Sequence, residues 1–194
     1  EFRDVTFNYP AKETPVLEKL SLSLTPGEVL CVTGANGSGK TTLAKLITGL
    51  FEPNEGYVSV DGVNLKQLSL EWWRKQIIYL PQEPKFLEGS IRENFLAVDV
   101  AVSDDRIREV LTDAGLDREI DKSVGGLDQV INTTGSSLSM GVRRRLALAR
   151  ALIIQGKIAI LDEPTEGIDA KGAESVYKVM SDLSTAGKTL IICS

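Results

Sequence analysis

Gly34-Ala35-Asn36-Gly37-Ser38-Gly39-Lys40-Thr41-Thr42 is a glycine, four free positions, then Gly-Lys-Thr, the Walker A spacing. An apolar, strand-like run, Val29-Leu30-Cys31-Val32, precedes it, and the start of an amphipathic helix, Leu43-Ala44-Lys45-Leu46-Ile47, follows. A strand that feeds a glycine-rich loop and then a helix N-terminus turns several backbone N–H groups onto one point, where the helix dipole adds partial positive charge. Glycines let the backbone approach a phosphate with no Cβ in the way. The spacing therefore predicts a phosphate cradle over Asn36, Gly37, Ser38, Gly39 and Thr42, with Lys40 reaching β- and γ-phosphates and the Thr41 hydroxyl ligating Mg²⁺.

The chain is long enough for one domain with an inserted lobe: 194 residues, 42% hydrophobic and 25% charged. A net charge of −5 argues against a general nucleic-acid surface. No apolar run approaches the roughly 18–20 residues that cross a bilayer, and nothing at the start reads as a signal peptide. If a membrane is involved, another segment or subunit supplies the contact. Histidine is absent, which removes imidazole acid–base work and His-based metal sites. Cys31 and Cys193 lie in strand-like runs and read as small core residues. The sequons at Asn36 and Asn132 read as chance matches.

Outward from the loop, residues 1–25 alternate like antiparallel strands with one buried face, and Tyr9 closes the first as an edge aromatic. Tyr57-Val58-Ser59-Val60 alternates as a strand, Leu70 to Gln76 suits a short helix packing Trp72 and Trp73, and Ile77-Ile78-Tyr79-Leu80 is a buried strand. Gln82 follows that strand at the end where α/β sheets place ligand contacts. From Glu83 to about Gln155 the pattern turns helical, clearest from Ser139 to Ile153. Within that helix at least one of Arg143, Arg144 and Arg145 should face solvent. Ile158-Ala159-Ile160-Leu161 is a wholly apolar, buried parallel strand tipped by Asp162 and Glu163. Ser175 to Leu183 is helical, and Thr189 to Cys193 is another buried strand.

Phosphoryl transfer needs a cradle, a metal and a group that orients the attacking water. Asp162 ends its strand as a Walker B acid does and would hold Mg²⁺. Glu163 should point the other way and polarise the water. Gln82 could contact both the metal and the water.

This ordered set resembles the nucleotide-binding domain of an ATP-binding cassette (ABC) transporter across essentially the whole chain. The residues that carry the resemblance are the Walker A loop, Gln82, Leu138-Ser139-Met140-Gly141-Val142, Asp162-Glu163 and Thr165-Glu166-Gly167-Ile168-Asp169. The resemblance implies an α/β P-loop core with an antiparallel β-subdomain and an inserted helical subdomain, the core from 1–82 and 151–194 and the helices from 83–150. It implies ATP and Mg²⁺ as ligands and a head-to-tail pair of such domains. Ser139 and Gly141 would bind the γ-phosphate of the second domain's ATP, and Asp169 would cross the same interface. Tyr9 would stack on adenine, with Val16 as a second adenine contact. Glu88-Gly89-Ser90-Ile91-Arg92-Glu93-Asn94 looks like the exporter subtype, whose helical lobe receives coupling helices from a transmembrane domain at the cytoplasmic face of the membrane.

The family's Leu-Ser-Gly-Gly-Gln carries Met140 and Val142 here, which could alter the γ-phosphate contact. Asn132-Thr133-Thr134-Gly135 stands where exporters carry a loop with an acid and a base. The family's switch histidine would fall just after Ser194, so the chain reads as a fragment expected to bind Mg-ATP as a monomer, with little hydrolysis and no stable ATP dimer. Alternative readings are a soluble ABC-class ATPase, associated with translation or DNA, or a cassette that binds ATP but hydrolyses it weakly. Only 98 residues, 41 to 138, separate Lys40 from Ser139, too few for the coiled-coil insertion of the DNA-associated class. Intact Lys40, Asp162 and Glu163 argue against the weak cassette.

Overall fold

In a computed structural model the chain is described over residues 1–10 and 14–194, apart from the side chain of Lys122. Its first layer is an antiparallel sheet. β1 (Phe2–Phe7) turns Phe2, Val5 and Phe7 inward and pairs with β2 (Leu17–Leu22) and β4 (Glu55–Val60). β4 continues into β5 (Val63–Asn64) through Asp61-Gly62, both at positive φ (49° and 79°), as a two-residue hairpin turn with right-handed strand twist requires.

The second layer is a parallel sheet in the order β3 (Val29–Val32), β10 (Thr189–Cys193), β9 (Ile158–Asp162), β6 (Ile77–Leu80). β10 thus lies between the strands that carry the phosphate loop and the Asp162 tip. β9 is apolar along its length because both of its faces are covered.

Between the sheets lies α1 (Lys40–Ile47), buried at six positions. Leu43, Ala44, Leu46 and Ile47 join Phe2, Val5, Phe7 and Val58 of one sheet to Ile77, Ile160 and Ile191 of the other in one core. α2 (Leu70–Arg74) closes the far end of α1. Trp73 is buried and its Nε1 donates to the Ile47 carbonyl at 2.7 Å, while Arg74 donates to the carbonyls of Thr48 and Gly49. These bonds satisfy carbonyls that the helix end leaves open. Trp72, expected to pack, instead points to solvent and is 52% exposed.

The opposite face of the parallel sheet, through Ile78, Leu80, Ala159, Leu161 and Leu190, packs on the remaining helices. These are α3 (Ile91–Leu96), α4 (Asp104–Asp113), α5 (Asp117–Lys122), α6 (Met140–Ala151) and α7 (Ala170–Thr185). Ser90 and Glu93 form a capping box on α3, and Ser103 and Ser139 cap α4 and α6. α6 is shorter than its apolar pattern and α7 longer. A ribbon of β7 (Gly89–Ser90) and β8 (Val130–Ile131) ties the helices together.

A further expectation is corrected. Cys193 is buried, but Cys31 is exposed. β3 is the edge of its sheet, and its pleat turns Val29 and Cys31 outward. In the arginine triplet, Arg144 and Arg145 are buried, and Arg143 is the one that keeps a face to solvent while donating to the Thr134 carbonyl at 3.1 Å.

Candidate functional site

β3 delivers the chain to a loop in which the Ser38 amide donates to the Ala35 carbonyl at 3.1 Å. Gly37 has φ +83° and Gly39, the residue capping α1, φ +100°, values that a side chain would strain. A Cβ on Gly39 would also press on Leu17 and Val16, at 3.0 and 3.2 Å. Val16 is therefore packed on the phosphate loop itself. Asn36, Gly37 and Ser38 are exposed, while Lys40 is buried, only 8% of it exposed. The Lys40 ammonium donates to the Gly34 carbonyl at 2.6 Å and lies 3.3 Å from Glu163 Oε1.

Thr41 Oγ1 donates to Gln82 Oε1 at 3.4 Å, joining the loop to the end of β6. Asp162, at the tip of β9, is fully buried, and neither of its carboxylate oxygens has a hydrogen-bond partner. Burial holds its carboxyl above the ordinary aspartate value. Cys193, its register neighbour on β10, has its thiol pushed up to about 12 by burial and then by the Asp162 charge. Tyr79 is likewise pushed up to about 12 by burial and Asp162.

An orphaned buried carboxylate beside a threonine hydroxyl and a glutamine carbonyl is a set of hard oxygen donors. Among the described residues no three His, Cys, Asp or Glu side chains converge, so an all-protein metal cage is not the arrangement. Magnesium, held by one or two protein oxygens plus phosphate and water, fits this set.

Glu163 does not point away from Asp162 as strand alternation suggested. β9 has ended, and φ +49° at Glu163 turns its side chain back to Lys40. Tyr9 meets Phe7 and Phe51 edge-on at 5.2 and 5.5 Å, and its hydroxyl is 3.0 Å from Thr42 Oγ1. Lys40, Thr41, Gln82, Asp162 and Glu163 are thus brought together, with Tyr9 and Val16 at the loop's flank.

Ser139, Gly141 and Asp169 form a second cluster. The Ser139 hydroxyl accepts from the Val142 amide at 3.3 Å and stays exposed. Asp169 caps α7 by accepting from the Gly172 amide at 3.1 Å. A Cβ on Gly141 would touch Ile168, and a Cβ on Gly167, at φ +69°, would overlap the Met140 sulfur. No hydrogen bond or ion pair among the described residues links this cluster to Lys40.

Two arginines to which the sequence reading gave no part in the site serve its frame. Arg144 donates to the Glu163 carbonyl and pairs with Glu166 at 2.6 Å. Arg150 stacks over Phe86 and donates to the Lys85 carbonyl at 2.7 Å, anchoring the segment that leaves Gln82. The one sequence signal for Arg144 was its turn of α6, which faces Leu148 rather than solvent.

Comparison with known proteins gives one family. The profile described as ABC transporter matches residues 17–166. The chain is 35% identical over 192 residues to the ATP-dependent lipid A-core flippase of Thiobacillus denitrificans, covering 98% of the chain and 33% of that protein. It is 34% identical over 193 residues to ABC transporter B family member 21 of Arabidopsis thaliana, covering 99% and 15%. It is 37% identical over 172 residues to antigen peptide transporter 2 of Rattus norvegicus, covering 88% and 24%. A solved bacterial Atm1-family ABC exporter with ATP bound superposes with a TM-score of 0.93 at 24% identity, over all of this chain and 34% of that one. The chain spans about a third or less of the length of each.

Proposed function

The chain belongs to the ABC transporter family, and from that premise we propose that it is the nucleotide-binding domain of an exporter, which binds ATP with Mg²⁺ and hydrolyses it to drive transport. Support for export comes from the relatives, whose names are those of a flippase and of transporters. No helix among the described residues is long and apolar enough to cross a membrane, and the membrane-spanning part would be a transmembrane domain of the same transporter, as the names of the relatives suggest. The domain would then sit at the cytoplasmic face and pair with a second nucleotide-binding domain. Residues 83–150 act as its helical subdomain and the rest as its core.

The observation that carries the hydrolytic reading is the unpartnered Asp162 carboxylate buried beside Thr41 and Lys40. Thr41, Gln82 and Asp162 would hold the magnesium, which when bound would offset the negative charge of the phosphates. Lys40 would exchange the Gly34 carbonyl and the Glu163 carboxylate for β- and γ-phosphate oxygens. That exchange leaves Glu163 free to accept a hydrogen bond from water and take its proton as the water oxygen bonds to the γ-phosphorus and ADP leaves. The loop amides from Asn36 to Thr42 supply donors, and Tyr9 and Val16 offer an apolar wall for the base. Ser139, Gly141 and Asp169 would complete the site of the second domain.

In the complete protein, Lys40→Ala is expected to weaken ATP binding severely by calorimetry without unfolding the domain. Glu163→Gln should keep ATP binding and lower turnover by about 10²-fold or more, as loss of a positioned catalytic group does. Wild-type affinity in the first variant, or near-normal turnover in the second, would overturn the assignment.

A further inference from the structure

Glu163 combines a long side chain with a left-handed backbone, φ +49°. Such a conformation persists only where its surroundings hold it. One side is held by the sheet, since the Glu163 amide donates to the Cys193 carbonyl at 2.8 Å. The other side is held by Arg144 of α6, only 6% exposed, whose Nη1 donates to the Glu163 carbonyl and whose Nη2 pairs with Glu166 Oε2 at 2.6 Å. Its neighbours go elsewhere: Arg143 to the Thr134 carbonyl, Arg145 to the Gly115 carbonyl and Glu119.

We propose that Arg144 is a positioning residue for the reaction: it ties the first turns of α6 to the left-handed turn that aims the Glu163 carboxylate, with Glu166 as the counter-ion that keeps its buried charge compensated. The proposal rests on the reading of Glu163 as the water-orienting acid. Glu163 reaches Lys40 through its side chain and α6 through its own carbonyl, so a displacement of α6 acts on the direction of the carboxylate. The Ser139 cap, one turn upstream on α6, shares that displacement. The bidentate fork matters, because one planar group spans a carbonyl and a carboxylate at once.

The test uses the complete protein with Arg144→Ala, Arg144→Gln and Glu166→Gln. Arg144→Ala should lower kcat by about 10²-fold, the loss expected when a reacting group is misaligned by an ångström or so, with the KM for ATP changed less than about threefold. Arg144→Gln keeps one amide donor for the Glu163 carbonyl but not the pairing with Glu166, and should recover part of the loss. Glu166→Gln should fall between. Amide hydrogen exchange over residues 163–169, which needs no turnover, should speed up in Arg144→Ala and return towards wild type in Arg144→Gln. A folded Arg144→Ala protein with wild-type kcat, or with unchanged exchange in that segment, would overturn the proposal. So would a loss of kcat matched by an equal loss of ATP affinity and shared by Arg144→Gln, which marks a structural role. If the wild-type protein binds ATP without turnover, the catalytic reading of Glu163 fails, and the exchange result alone decides whether Arg144 holds the turn.

Discussion

Both carboxylate oxygens of Asp162 are buried without a partner, a placement that folding alone disfavours. Asp162→Asn removes the buried charge and should raise the Tm of the nucleotide-free domain by about 2–4 °C, corresponding to roughly 1 kcal/mol at this size. The same variant should lose the extra stabilisation that Mg-ATP gives the wild type, which thermal melts with ATP in EDTA or in magnesium would read. A lower Tm for Asp162→Asn would mean that the carboxylate is satisfied in the free domain. Lys40, Thr41 and Asp162 were legible in the sequence because strand–loop–helix spacing is local. The direction of Glu163 was not, because alternation stops where β9 stops and φ turns positive. Nor was the burial of Arg144, whose two partners lie 19 and 22 residues away in sequence.

At the scale of elements, the antiparallel and parallel strands could be read from period-two alternation and apolar runs, and the longer helices from their helical spacing. β7 and β8 could not, since two residues each carry no periodicity; Ile131 of β8 and Ile91, which follows β7, lie in the same core. The two tryptophans of α2 show what pattern alone leaves open. Trp73 caps α1 through its indole while Trp72 faces water. Trp73→Phe keeps an aromatic ring but strands the Ile47 carbonyl, and should cost about 1–3 kcal/mol in denaturant unfolding. Trp72→Ala should stay within about 0.5 kcal/mol. Equal effects of the two would refute the capping role.

Across the whole molecule, α1 joins the antiparallel sheet to the parallel sheet in one core, so the phosphate loop is braced by both sheets. The parallel sheet ends at β3, and its two thiols lie in contrasting settings. Cys31 faces outward, whereas Cys193 is fully buried with its thiol pushed up to about 12. Because the thiolate is the reacting form, an aromatic disulfide reagent should modify one thiol of the native 194-residue chain promptly and the second only on unfolding. Prompt reaction of both would show that β10 opens readily. Mg-ATP should leave the Cys31 rate unchanged.

The left-handed backbone at Gly167, φ +69°, has a consequence for descent. A Cβ there would meet the sulfur of Met140, the far end of a flexible side chain at the start of α6, which can swing aside at little cost. The lasting constraint is the backbone. Residues that replace Gly167 in descendants of this sequence should be those that tolerate positive φ, asparagine and aspartate ahead of alanine, whatever stands at 140.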